Sequence, residues 1–393
     1  MQYNFDEIIN RRESGSLKWD VKESELPMWV ADMDFKTAPE IIDAIKTRVE
    51  HGIFGYNIVT DEWYEAICGW WSARHDIQME KESLVFCTGV VPAISSIVRK
   101  MTTVGENVLV QTPVYNIFFN SIVNNGRHIL ESQLIYDGSE YQIDYQDLEE
   151  KLSDPQTTMM LLCNPHNPIG KIWDRETLSK IGELCKKYHV LVVSDEIHCE
   201  LTDPGHSYLP FASVSKTCAM NSITCIAPTK AFNIAGLQTA AVMIPNEQLR
   251  HKVERGLNTD EVAEPNSFAI TATVAAFTKG AGWLDALRDY IFENKRVVAE
   301  FIENELSDIK LVPSEATYLL WLDCKKISRY SDHLTAYIRE NSGLRLSSGS
   351  SYGESGEGFL RMNIACPREY LLNGLKRLKK SLDEYEEWSV DQC

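Results

Sequence analysis

The sequence contains no Cys-x-x-Cys pair, no Gly-x-Gly-x-x-Gly fingerprint, no internal repeat and no low-complexity tract. None of its apolar runs approaches the ~20 residues of a membrane-spanning helix. It is also short of positive charge, with 39 Lys and Arg against 57 Asp and Glu in 393 residues, a formal balance of −18. Each absence removes a class of function. The acidic field repels phosphate backbones and anionic lipid, which speaks against nucleic acid or membrane partners. Ten cysteines are present but scattered singly, several inside apolar runs such as residues 159–163. They read as reduced thiols of a cytoplasmic protein, neither a disulfide framework nor a zinc ribbon. The opening Met1-Gln2-Tyr3-Asn4-Phe5-Asp6 lacks the charged-then-apolar pattern of a leader, in keeping with a cytoplasmic location. Without the glycine fingerprint, a nicotinamide or flavin dinucleotide site has no support.

What is present is the composition of an ordinary globular protein, 44% apolar and 24% charged. At roughly 100 to 200 residues per domain, the length suggests two or three domains. Short apolar runs at 84–87, 107–110, 158–163, 190–194, 223–226 and 240–244 alternate with helical stretches. Near-continuous apolar strands separated by helices predict a largely parallel α/β sheet covered on both faces. Residues 175–188 predict a crossover helix, with Leu178, Ile181, Leu184 and Cys185 on one face. Residues 39–50 predict a helix opened by Pro39. After about residue 285 the pattern changes to a long helix (283–306), strand-like runs at 316–322 and 359–363, and a closing helix from Pro367 to about Glu386. The expected division is a large domain over 51–284 and a small α+β domain made from 285–393 and completed by 1–50.

Open α/β sheets bind ligands beyond the carboxyl ends of their strands, so the segments following the runs carry the chemistry. The first run leads into Thr88-Gly89-Val90-Val91-Pro92, a glycine turn opening a helix, whose free amides and dipole suit a phosphate. The third leads into Asn164-Pro165-His166-Asn167-Pro168-Ile169-Gly170, which holds asparagine amides at a strand end. The fourth ends on Asp195-Glu196-Ile197-His198-Cys199-Glu200, an acid placed where it must meet a cation or pay for burial. A metal reading through Asp195, His198 and Glu200 is the alternative there, though no other His-rich segment supplies further ligands. The fifth leads to Pro228-Thr229-Lys230, where a lysine framed by small residues has the setting of a desolvated, nucleophilic amine. Taken singly, each of these segments is an ordinary turn. Together they are the parts that hold pyridoxal 5′-phosphate (PLP): a lysine for the aldehyde, an acid for the ring nitrogen, an asparagine for the ring hydroxyl and a cup for the phosphate. No metal is expected.

With these residues in place, the sequence resembles fold-type I PLP enzymes of the class I/II aminotransferase superfamily, and within it the cystathionine β-lyase-like C–S lyase branch. The likeness runs nearly end to end, through Trp29-Val30-Ala31-Asp32-Met33-Asp34-Phe35, Gly52-Ile53-Phe54-Gly55-Tyr56, Thr229-Lys230-Ala231-Phe232-Asn233 and Arg361-Met362-Asn363-Ile364-Ala365-Cys366-Pro367-Arg368. It implies the aspartate aminotransferase fold, with a mostly parallel seven-stranded sheet in the large domain. It makes Lys230 the lysine that bonds the cofactor, Asp195 the partner of the ring nitrogen and Asn167 the partner of the hydroxyl. His198 stands where many relatives carry a tyrosine, and Tyr115 matches the aromatic residue stacked on the ring. Gly89, Val90, Val91 and Thr229 would serve the phosphate. Tyr56 matches a tyrosine that reaches the neighbouring subunit's phosphate, which implies a homodimer with active sites at the interface. Arg361 matches the arginine on the substrate α-carboxylate, with Ala31 and Asp32 on the substrate side.

Three positions depart from the common pattern. Ala227 replaces a phosphate-binding serine, Gln238 an arginine that typical aminotransferases place on the phosphate, and Ile169 a threonine beside the ring. The C–S lyase branch also lacks that arginine. The implied reaction is α,β-elimination from L-cystathionine, L-cysteine or a related S-conjugate, giving a thiol, pyruvate and ammonia. Transamination at the same site is the alternative, and a PLP-binding protein with an added regulatory role is another.

Overall fold

The computed structural model describes residues 3–385. Seven strands form the central sheet: β1 (Leu84–Cys87), β2 (Asn107–Thr112), β3 (His128–Gln133), β4 (Thr157–Cys163), β5 (Leu191–Asp195), β6 (Ser222–Ile226) and β7 (Ala240–Met243). Their order is β1-β7-β6-β5-β4-β2-β3. Only β7 runs against its neighbours; the other adjacent pairs are parallel. The seventh strand, β3, is not among the expected runs. It lies at the edge, is polar and only partly buried, and so lacks the apolar signature of the others.

Alternation along the strands shows why both faces are covered. Val108, Val110, Met159, Leu161, Val193 and Ile223 point to one side, against Ile94 and Ile97 of the helix α1 (Val90–Met101) and Leu257 of Glu247–Thr259. Leu109, Met160, Leu162 and Val192 point to the other, against Leu178, Ile181 and Cys185 of Arg175–Lys187. The last helix is the expected crossover. Asp174 caps its amino end by accepting from the Thr177 amide, and Lys186 and Lys187 lie in its last turn, where the dipole favours cations.

A four-stranded antiparallel sheet follows, built from Lys310–Leu311, Leu319–Asp323, Ser347–Ser348 and Phe359–Asn363. The long helix spans Ala281–Glu305 and the closing helix Arg368–Asp383; the expected end of the latter at Glu386 lies outside the described residues. The amino-terminal segment runs along this second sheet. Leu26–Pro27 pairs in parallel with Leu344–Arg345, the Asn363 amide donates to the Met28 carbonyl, and the Asp34 amide to the Ala365 carbonyl. The helix Pro39–His51 begins at Pro39 as expected and packs instead on Ala269–Lys279, beside the large sheet.

Candidate active site

A cavity of about 250 Å³ lies where the strands of the large sheet end. Thr88 and Gly89 reach it from β1, Asn167 from the loop after β4, Asp195 from the end of β5, and Thr229 and Lys230 from the loop after β6. Ala31 and Tyr115 close its sides. The expected residues Val90, Val91 and His198 line it as well.

Lys230 Nζ donates to the Ala31 carbonyl at 2.6 Å. Burial lowers its pKa to about 8, with the charge of Arg361 adding to the effect, so a neutral amine is within reach at physiological pH. Asp195 ends its strand almost fully buried, and its carboxylate accepts the Ile197 amide at 3.1 Å. Burial pushes its pKa up to about 7, against the pull of that hydrogen bond and of Lys230. A cationic ring nitrogen beside it would restore the charged form. His198 is driven down to about 3 by burial, then by Lys230 and Arg361, so it is a neutral imidazole. Its Nδ1 is buried without a partner in the protein. Tyr115 is pushed up to about 12 by burial and by Asp195, which keeps its hydroxyl protonated.

The phosphate cup is made of backbone. Helix α1 starts after Gly89, no side chain caps it, and its first turn carries no acid. Its amides are therefore open to an anion, as the dipole favours. The residues could thus offer a partner to each polar group of PLP: Lys230 would face the aldehyde, Asp195 the ring nitrogen, Asn167 and His198 the hydroxyl, and α1 with Thr229 the phosphate. On these residues the cofactor fits.

Arg361 is buried in the middle of the strand Phe359–Asn363, just outside the residues that line the cavity. Its Nη1 donates to Asn167 Oδ1 at 3.1 Å and its Nη2 to the Trp29 carbonyl at 2.9 Å, while Nε is buried without a partner. All of these partners are uncharged, so the guanidinium keeps its charge for a ligand. Asp32 does not line the cavity; it pairs with Arg11 at 2.7 Å, and its charge reaches Lys230 only at range, raising that pKa. Tyr56 is fully exposed and lies outside the cavity, beside an open groove of about 550 Å³ bordered by Ala44, Arg48 and Ile270. Glu200 does not join Asp195 and His198. It turns away to accept from Trp70 Nε1 and to pair with His75 Nε2, each at 2.7 Å, with Arg74 3.4 Å off.

Some residues at the site carried no sequence signal. Cys163 lines the cavity as the last residue of β4, looking from sequence like one more apolar strand position. Tyr318 donates to the same Ala31 carbonyl that Lys230 uses, at 3.0 Å. Gln238, expected as a departure from the common arginine, lines the cavity with a left-handed backbone, φ 53°.

The family model described as aminotransferase class I and II matches residues 27–378. The chain is 44% identical to cystathionine beta-lyase PatB of Bacillus subtilis, over 96% of this chain and all of that protein. Among solved structures, it is similar to PLP-containing cystalysin from Treponema denticola, with a TM-score of 0.95 and 32% identity, covering 98% of this chain and all of that one. The PLP-bound C-S lyase from Staphylococcus hominis superposes with a TM-score of 0.91 at 34% identity, over 98% and 99% of the two chains. A match of this extent settles the kinship: the chain belongs to the class I and II aminotransferase family.

Proposed function

We propose that the protein is a PLP-dependent carbon–sulfur β-lyase that cleaves L-cystathionine, and related cysteine S-conjugates, to a thiol, pyruvate and ammonia. The observation that carries the reading is a buried Lys230 amine of lowered pKa lining the cavity, together with a buried Arg361 that reaches the same site by donating to Asn167 and whose bonded partners are all uncharged. The names of the relatives above support the sulfur substrate, and Gln238 in place of the common arginine agrees with it. When bound, PLP supplies a covalent hold on the substrate nitrogen and a sink for the electron pair left on Cα.

The protein's own residues do the rest. Arg361 presents its fork to the α-carboxylate and orients the Cα–H bond toward Lys230. The Lys230 amine takes the Cα proton and then gives it to the sulfur as the Cβ–S bond breaks. Asp195, ionised against the ring nitrogen, would keep that nitrogen protonated, and the neutral His198 and Asn167 would bond the hydroxyl. Tyr115 would stack on the ring, Gly89, Val90, Val91 and Thr229 would hold the phosphate, and Ala31 would border the substrate side, while Asp32, expected there as well, is held away from the cavity by Arg11. Water consumed after thiol release balances the reaction: cystathionine plus water gives homocysteine, pyruvate and ammonia.

The division into a large domain over 51–284 and a small one over 1–50 with 285–393 belongs to the same reading. So do a cytoplasmic location, which the free cysteines among the described residues support, and a homodimer in which Tyr56 serves the neighbour's phosphate. Full exposure of Tyr56 together with Ile53, Phe54 and Ile58 supports the dimer. No helix among the described residues is long and apolar enough to cross a membrane. Replacing Lys230 with alanine tests the function. Pyruvate release from L-cystathionine is expected to fall by about 10³-fold or more, losing both the base and the covalent hold; a variant that keeps full turnover would refute it.

A further inference from the structure

The partners of Arg361 are completed by an aromatic ring. The guanidinium carbon stands 5.0 Å from the ring centroid of Tyr352, which is 2% exposed. That ring meets Trp321 edge-on at 5.4 Å, and Trp321 stacks on Phe359 at 5.1 Å, so its position is fixed by packing. The Tyr352 carbonyl accepts the Val114 amide at 2.9 Å, one residue before Tyr115. The loop that carries it is drawn tight: a Cβ on Gly349 or Gly356 would come within 2.1 Å of the other's carbonyl oxygen. One residue thus touches both the arginine and the segment presenting the stacking tyrosine.

We infer that Tyr352 is a positioning residue for the substrate carboxylate, its ring holding the Arg361 guanidinium in place without neutralising it, and so sets the preference for an amino acid over its neutral amide. A carboxylate in that position would also hold the arginine, but would occupy its N–H fork and cancel its charge. An aromatic face attracts the cation through its quadrupole and accepts none of the in-plane N–H bonds. The inference rests on the reading of Arg361 as the α-carboxylate partner.

The test compares kcat/KM of the holoenzyme for a cysteine S-conjugate and for its carboxamide. In Tyr352→Phe, which keeps the ring face, the acid-to-amide ratio stays within about twofold of the unsubstituted enzyme. In Tyr352→Leu and Tyr352→Met, kcat/KM for the acid falls about tenfold, mainly through KM, while the amide is unchanged. Two ringless variants are read so that poor folding of one does not decide the outcome, and retained cofactor absorbance marks the folded ones. The inference is overturned if the folded ringless variants keep the original ratio, if acid and amide fall equally, or if Tyr352→Phe loses as much as Tyr352→Leu. Arg361→Lys separates the two layers. If it leaves the ratio intact, the carboxylate reading itself fails; if it collapses the ratio and the Tyr352 variants do not, only the role of Tyr352 fails.

Discussion

Asp195 carries an acid into a place where burial alone works against its charge, with a pKa of about 7 instead of 3.8. Without cofactor, the folded chain therefore holds a proton between about pH 4 and 7 that the unfolded chain has released. This group's contribution to stability falls as pH rises through that window and is unfavourable above it. Lys230 acts in the opposite sense. The unfolded amine keeps its proton up to the usual 10.5 and the folded one releases it near 8, so its contribution rises with pH between those values. Cofactor-free Asp195→Asn is accordingly expected to be more stable than the unsubstituted protein at pH 7.5, on the order of 2–4 kcal/mol by urea unfolding, with the difference vanishing near pH 4. With cofactor the same change should lower pyruvate release by about 10²-fold or more, since the ring nitrogen loses its counter-ion. These residues were legible only as a set: each alone reads as an ordinary turn, but a lysine, an aspartate and an asparagine at the strand ends of one sheet match the polar groups of one cofactor. Tyr318 and Tyr352 were not, because a tyrosine among apolar residues reads as core until its neighbours are known. Arg361 gave only its position: its isolation from acids depends on what the fold puts around it.

At the scale of elements, helix α1 joins two requirements in one turn. Its first turn is free of acid and its start is uncapped, which leaves amides for a phosphate and costs the helix a stabilising interaction. Val91→Asp should therefore separate the two. The cofactor-free protein is expected to gain up to about 1 kcal/mol from an anion at the helix start, seen as a higher urea midpoint. Affinity for PLP should fall at least about tenfold through like-charge repulsion, measured by titration of the cofactor-free form. The buried strands announced themselves through unbroken apolar runs, and Arg175–Lys187 through its stripe. The strand β3 and the helix Asp61–His75 did not. The first is a polar edge strand; the second buries a single stripe of Trp63, Ala66, Ile67, Trp70 and Trp71, but Cys68, Gly69 and Ala73 lie outside it in place of a uniformly charged face, so the contrast between the faces is weak. Pairing of Leu26–Pro27 with Leu344–Arg345 is a two-residue contact between chain ends that no local pattern encodes.

At the scale of the whole molecule, the cavity lacks one expected participant, since Tyr56 points into solvent beside Ile53, Phe54 and Ile58. If two copies share their sites, Tyr56→Ala and Lys230→Ala protomers should complement. Each alone is inactive or nearly so, while a mixed dimer contains one site with both native residues. Co-refolding equal amounts should restore about a quarter of the unsubstituted activity, half the dimers being mixed with one good site each. Absence of recovery in a mixture shown to contain dimers would place Tyr56 outside the neighbour's site. Charge at this scale constrains only the surface. The balance of −18 disfavours polyanions, yet one phosphate held by backbone amides within a cavity does not feel it as a polymer would. The reaction itself is decided by one measurement: the products formed from L-cystathionine by the purified protein with PLP, with and without 2-oxoglutarate. Equal amounts of pyruvate and homocysteine, formed without the 2-oxo acid, are the predicted result. Glutamate appearing at the expense of cystathionine without pyruvate, or no product from cystathionine, cysteine or their S-conjugates, would contradict it.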